Sequence, residues 1–101
     1  MAGMDLDVAK KIRMTQDLQC QMLSALSDFF MAMQQNASKA DKTEILADME
    51  ILLYLMGERM GISRDGMDRK AASRLRLGLL EEEREEWRAS LLSLLKALEG
   101  K

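Results

Sequence analysis

Residues Asp41–Ile62 read DKTEILADMEILLYLMGERMGI, and this stretch decides the fold. Ile45, Met49, Leu52, Leu53, Met56 and Met60 recur at helical spacing, so it reads as one helix over about residues 42–60, the most apolar in the chain. Asp41 has the chemistry of an N-cap, and Glu44, three residues on, completes a capping-box pattern. Gly61 fits the position just past the helix, where a positive φ suits glycine, and Ile62 supplies the apolar contact after it. Glu44 and Asp48 lie four residues apart and share a face that continues through Ile51, Leu52 and Leu55. Asp48 is therefore expected away from bulk solvent. A carboxylate placed there must be paired, hydrogen-bonded, metal-bound or protonated. An arginine or lysine of the following helix would satisfy it, and so would a cation. For Glu44, capping and ligation both remain open.

Outward from this helix, the chain continues the same pattern. A first helix is expected over about residues 7–36, starting at Asp5 or Asp7 and ending at Asn36. Val8, Ile12, Met22, Leu26, Phe29 and Met33 form its apolar stripe, widened by Leu18, Leu23 and Phe30. A polar line, Gln21, Ser24, Asp28, Ala32 and Gln35, is the candidate wall of any cleft beside it. NASKADK is a short polar connection. On the other side, Ser63 or Asp65 caps a third helix over about residues 65–77, whose polar residues Arg64, Arg69, Lys70, Arg74 and Arg76 are basic. Gly78 ends, kinks or is crossed by this helix, since one helical glycine costs only about 1 kcal/mol. A fourth helix over about residues 79–98 carries Leu80, Trp87, Leu91, Leu94 and Leu98 as its stripe. The acidic run EEEREE lies early in it and Lys96 late, both matched to the helix dipole.

Composition sets the limits. The 101 residues contain no proline and no alternating strand pattern, and Ala, Leu, Met, Glu, Lys and Arg are plentiful. The expected fold is all-α: one domain, 1–101, a compact bundle of three to four helices whose small core is completed by homodimerisation. Basic and acidic residues number 15 and 17, net charge -2, which gives no general attraction to nucleic acid or an anionic membrane. A recognition helix over Arg64–Arg76 would be needed to bind nucleic acid, and the many acids oppose it. Cys20 is the only cysteine, which excludes an intrachain disulfide and fits a reducing cytoplasm. MAGMDLDVAKK has no signal-peptide core, and no apolar run spans a bilayer. With no histidine, catalytic His arrangements and most zinc sites are excluded, so any metal chemistry rests on carboxylates and a hard cation such as Mg²⁺. Ten methionines give an adaptable core or interface, or an adaptable binding surface.

The candidate constellation follows. Asp28, Glu44 and Asp48, from two helices, are the candidate metal ligands, with Mg²⁺ held against a phosphate chain. Arg69, Lys70 and Arg74 are the candidate phosphate-binding residues. LADMEILLYLMGERMGI, with DRKAASRLR after it, resembles the MazG-like all-α nucleoside triphosphate pyrophosphohydrolases, closest to their short phage-type members. The resemblance covers roughly residues 23–76. It implies Mg²⁺ on a first-helix Glu-Glu-x-x-Glu and a second-helix Glu-x-x-Asp, a later lysine, cleavage between the α and β phosphates, and assembly as dimers or tetramers. Asp48 falls on the motif aspartate and Lys70 on the lysine. The other ligands do not carry over: Ile45 stands at the Glu-x-x-Asp glutamate, and Ser27-Asp28-Phe29-Phe30-Met31 spans the first motif with Asp28 its one acid.

Two functions follow. In the first, the scaffold is kept with degenerate acidic motifs and acts as a protein-interaction or regulatory module: a homo-oligomer with a protein partner, of the kind a phage encodes to inhibit a host or defence complex. This needs no cofactor. In the second, it is a Mg²⁺-dependent nucleoside triphosphate pyrophosphohydrolase with an atypical carboxylate site and a nucleotide substrate. Neither calls for nucleic acid or a membrane.

Overall fold

The computed structural model describes the backbone of residues 2–100 and the side chains of residues 6–100. Four helices follow in order: α1 (Ala2–Gln34), α2 (Lys39–Arg59), α3 (Arg64–Glu81) and α4 (Glu85–Glu99), with no strand among the described residues. The fold is all-α. The chain divides into two units between Gly61 and Ile62, with α1 packed on α2 in the first and α3 on α4 in the second. Among the described residues, no helix is long and apolar enough to cross a membrane.

The first unit is an antiparallel helical hairpin with a regular seam. On α1 the protected positions are Thr15, Leu18, Met22, Ala25, Phe29 and Ala32; on α2 they include Lys42, Ile45, Met49, Leu52 and Met56. The alternating spacings of three and four are those of a coiled-coil seam. Ala32 and Leu52 are its most buried side chains, 8% and 7% exposed. The expected α1 stripe is therefore shifted by one position at two places. Ala25 and Ala32 take the seam, and the larger Leu26 and Met33 beside them are exposed. Small residues there let the α2 side chains lie close against α1. Ile12, Leu53 and Met60 likewise stand beside the seam rather than in it.

Local chemistry sets the hairpin's turn. α1 begins at Ala2, before both expected starts; the Asp5 side chain lies outside the described residues. It ends two residues before Asn36. The Ala37 N–H donates to the Ala32 carbonyl at 2.9 Å and the Asn36 N–H to the Met33 carbonyl at 3.3 Å. Asn36 takes φ +54°, a left-handed conformation asparagine tolerates. α2 starts earlier than expected because Ser38, not Asp41, is the cap: its Oγ accepts from the Asp41 N–H at 3.0 Å. Asp41 sits in the first turn, facing the positive end of the dipole, and Glu44 is one turn too far along to cap. Ser38→Ala is thus expected to cost about 1 kcal/mol and Asp41→Ala about half of that, a ranking that urea denaturation of the two variants checks. Gly61 ends the unit at φ +76°, its N–H donating to the Glu58 carbonyl at 3.1 Å, as its position predicts.

The second unit is a shorter hairpin. Ser63 caps α3, accepting from the Gly66 N–H at 2.9 Å. Asp68, Ala72, Leu75 and Leu79 form the protected side of α3, and Leu91, Leu95 and Leu98 that of α4, again at spacings of three and four. α3 crosses Gly78 and continues to Glu81, so Leu80 belongs to α3, where it is 82% exposed. Trp87 and Leu94, expected in the α4 stripe, are about half exposed; Leu95 takes the buried place.

The acidic run does not lie within one helix. Glu81 closes α3, residues 82–84 form the break, and Glu85 and Glu86 open α4. Arginines hold this turn. Arg84 pairs with Glu82 at 2.8 Å and lies 5.7 Å over the Trp87 ring. Arg88 donates to the Glu82 carbonyl at 3.0 Å and also to that of Leu79, filling acceptors that the end of α3 leaves open. The Arg84 hydrogen bond holds the Glu82 carboxyl below its ordinary value, and Glu82 in turn raises Arg84. A carboxyl with a lowered folded-state value stabilises fully above its unfolded value and loses that effect as pH falls through the lowered one. Glu82→Gln is therefore expected to flatten part of the loss of melting temperature between about pH 5 and about pH 2, measured by circular dichroism.

Candidate functional site

The side of the α1–α2 hairpin that carries the predicted carboxylates is a groove. Seam residues recur at a and d of a heptad, and in an antiparallel pair the g positions of both helices flank one side and the e positions the other. On the g side stand Gln21 and Asp28 from α1, and Asp48 and Leu55 from α2. With Ser24, Ala25, Ile51 and Leu52 they line a concavity of about 340 Å³. Gln21, Ser24 and Asp28 form its wall, as the polar line predicts; Ala32, on the same line, lies in the seam instead. Ile51, Leu52 and Leu55 share the groove with Asp48, as their common face predicts.

The structure thus brings together two of the three predicted metal ligands, Asp28 and Asp48, one from each helix. Glu44 lies one turn before Asp48, exposed, and does not line the groove. The expectation that Asp48 lies away from solvent is corrected. Its flank position puts it on the rim, where it is exposed, and it forms no ion pair among the described residues. The expectation fails because Ile51 and Leu55, on its face, are themselves 54% and 41% exposed. Among the described residues, no three His, Cys, Asp or Glu side chains form a group able to hold a metal ion.

The predicted phosphate-binding residues all lie on α3, in the second unit. Arg69 is paired with Asp65 at 3.0 Å, one helical turn away. Lys70 and Arg74 are exposed and share a face of α3. A wider concavity of about 940 Å³ lies in this unit along α3 and the end of α4. Its three arginines are matched by acids: Arg64 with Asp68 at 3.8 Å, Arg69 with Asp65, and Arg76 with Glu99. Charges paired in this way leave little net attraction for phosphate.

The residue reading missed one part of the first unit's groove. Beyond Gln21 and Leu55 it continues into a smaller hollow of about 230 Å³ lined by Met14, Asp17, Leu18 and Arg59. The signal was the heptad register, in which Met14, Gln21 and Asp28 occupy successive equivalent positions seven residues apart.

Comparisons with curated proteins and with solved structures give no significant match. Residues 8–91 match the MazG-like family, a span from within α1 to the middle of α4, and the chain belongs to that family.

Proposed function

We propose that this chain is a MazG-like scaffold without catalytic metal chemistry, acting as a protein-interaction or regulatory module in the cytoplasm. One observation carries the reading: the groove holds two exposed carboxylates and, among the described residues, no third His, Cys, Asp or Glu side chain joins them. Mg²⁺ demands near-octahedral oxygen coordination, and a triphosphate is itself a strong chelator that a poor site cannot outcompete. The donor set does not fit a resident Mg²⁺. Ile45 indicates part of the reason, since it is a seam residue: the place where the second-helix glutamate would stand packs α2 against α1, while Ser27 and Met31 stand at the remaining acid positions of the first motif.

The opposite side of the hairpin supports self-association. The e positions and their neighbours there are apolar: Leu23, Leu26, Phe30 and Met33 on α1, Leu46 and Leu53 on α2, from 38% to 71% exposed. Contiguous apolar surface of this kind marks an interface rather than a solvated face. A second copy presenting the same side would bury it, giving a homodimer.

The alternative, an atypical pyrophosphohydrolase, has one observation in its favour: Asp28 and Asp48 do face the same groove, with Gln21 and Ser24 beside them. Incubation with a panel of ribo- and deoxynucleoside triphosphates, with Mg²⁺ or Mn²⁺, separates the two. The expected result is no pyrophosphate release above buffer. Metal-dependent release that Asp48→Asn abolishes would replace the interaction reading with the hydrolase.

A further inference from the structure

The two hollows on the g side of the α1–α2 hairpin share Gln21 and Leu55, so they form one track. It runs along α1 from Met14 to Asp28, which at 1.5 Å per residue is about 21 Å, or four helical turns. Leu18, Ala25, Leu52 and Leu55 supply apolar surface along its length. Three aspartates stand along it: Asp17 at one end, Asp28 and Asp48 on either side of the other. None of the three forms an ion pair among the described residues. The one basic residue in the track, Arg59, is occupied by Glu58 at 2.9 Å and reaches the Met14 sulfur at 3.9 Å.

From this arrangement we infer that the track receives a basic amphipathic helix of a partner protein. The inference deepens the interaction reading above and rests on it. Charge distribution selects the occupant. Asp17 and Asp28 are eleven residues, three turns, apart on α1, about 17 Å along the axis. A single small cation cannot meet both. Lysines or arginines spaced along a helix can, while that helix's apolar stripe, read at i, i+3, i+4 and i+7, lies on the leucines between them. Apolar floor and acidic rim together call for the two properties in one ligand. The rim charges would speed encounter and disfavour acidic competitors, and that contribution weakens with salt.

The test uses the full chain and three fluorescent peptides of roughly 18 residues, long enough to hold helix. The first carries a leucine stripe flanked by lysines. The second has the same stripe with glutamates. The third has the first peptide's composition, scrambled to destroy the stripe. Anisotropy titration is expected to show binding of the first alone, weakened about tenfold in the Asp28→Asn/Asp48→Asn double variant, whose helix content and oligomeric state are unchanged. Equal binding of the glutamate or scrambled peptide would overturn the proposal, as would unchanged affinity in the double variant. Dissociation of the wild-type oligomer by Asp28→Lys/Asp48→Lys would put a second copy in the track instead and overturn it too. If none of the peptides binds and no nucleotide is turned over, the groove proposal falls while the non-catalytic reading stands; metal-dependent turnover strikes the reading beneath it.

Discussion

Leu52→Ala is expected to destabilise the protein by about 3 kcal/mol, whereas Leu53→Ala, one residue on, is expected to cost about 1 kcal/mol or less to the fold itself. The two leucines are identical in chemistry and adjacent in sequence, and only the seam separates them. Leu52 is 7% exposed between the helices and Leu53 46% exposed beside them. Truncating the first removes buried methyl groups and leaves a cavity that neighbours fill incompletely; truncating the second removes surface that is half in water. Few side chains in this hairpin are as buried as Leu52, and small domains have a stability of only about 5–15 kcal/mol to lose. Urea denaturation of both variants, at a concentration where the association state is known, gives the comparison. Equal losses would mean that the seam runs elsewhere.

The second large effect is on assembly. Phe30→Glu combined with Leu53→Glu is expected to convert the proposed homodimer to a monomer at micromolar concentration while leaving the helical circular dichroism signal in place. Phe30 is 54% exposed, so the substitution buries no charge within one copy. In the dimer it would place carboxylates in the middle of an apolar interface, and losing a central anchor commonly costs 2 kcal/mol or more, roughly thirtyfold in affinity per site. Sedimentation velocity reads the result directly. Glu44 and Glu50 already stand exposed within α2, the helix of Leu53, so loss of helix is not the expected route. A wild-type chain that sediments as a monomer would remove the need for the apolar face to be covered by a second copy.

The all-α class and the Gly61 break were legible because each rests on strong local chemistry, absent proline and a positive-φ glycine, while for the α3 cap the sequence offered Ser63 or Asp65 and the structure takes Ser63. Of the central helix, Ile45, Met49, Leu52 and Met56 fell in the seam as read. The α1 register was harder. Its seam contains Ala25 and Ala32, which contribute little to any hydropathy pattern, and exposed Leu26 and Met33 sit beside them with a louder signal. Protection there comes from α2 packing against small residues, a property of the pair that one helix's sequence does not show. The same limit applied to Asp48. Its apolar neighbours suggested burial, yet in a two-helix hairpin a flank position stays wet even among leucines. The acidic run misled for another reason. The helix dipole accounts for acids at a helix start, but the break at residues 82–84 depends on Arg84 and Arg88 closing it from the other side.

For the site, the wall of Gln21, Ser24 and Asp28 was readable, because residues at i, i+3, i+4 and i+7 share a face of any α-helix; that Asp48 faces it depends on how α1 and α2 pack. Glu44 shares that spacing with Asp48 yet stands outside the groove, because on α2 the groove runs from Asp48 toward Arg59 and not toward the start of the helix.

The central claim, a MazG-like scaffold whose two groove carboxylates do not hold a catalytic cation, is tested most directly by thermal unfolding with Mg²⁺ and a non-hydrolysable nucleoside triphosphate. A ligand bound only by the folded chain at a hundred times its dissociation constant stabilises by about 2.7 kcal/mol, which moves the midpoint of a domain this size by about ten degrees or more. The expected result is a midpoint within about one degree of the protein alone, for wild type and Asp48→Asn alike. A rise of several degrees that requires both metal and nucleotide, and that Asp48→Asn removes, would contradict it.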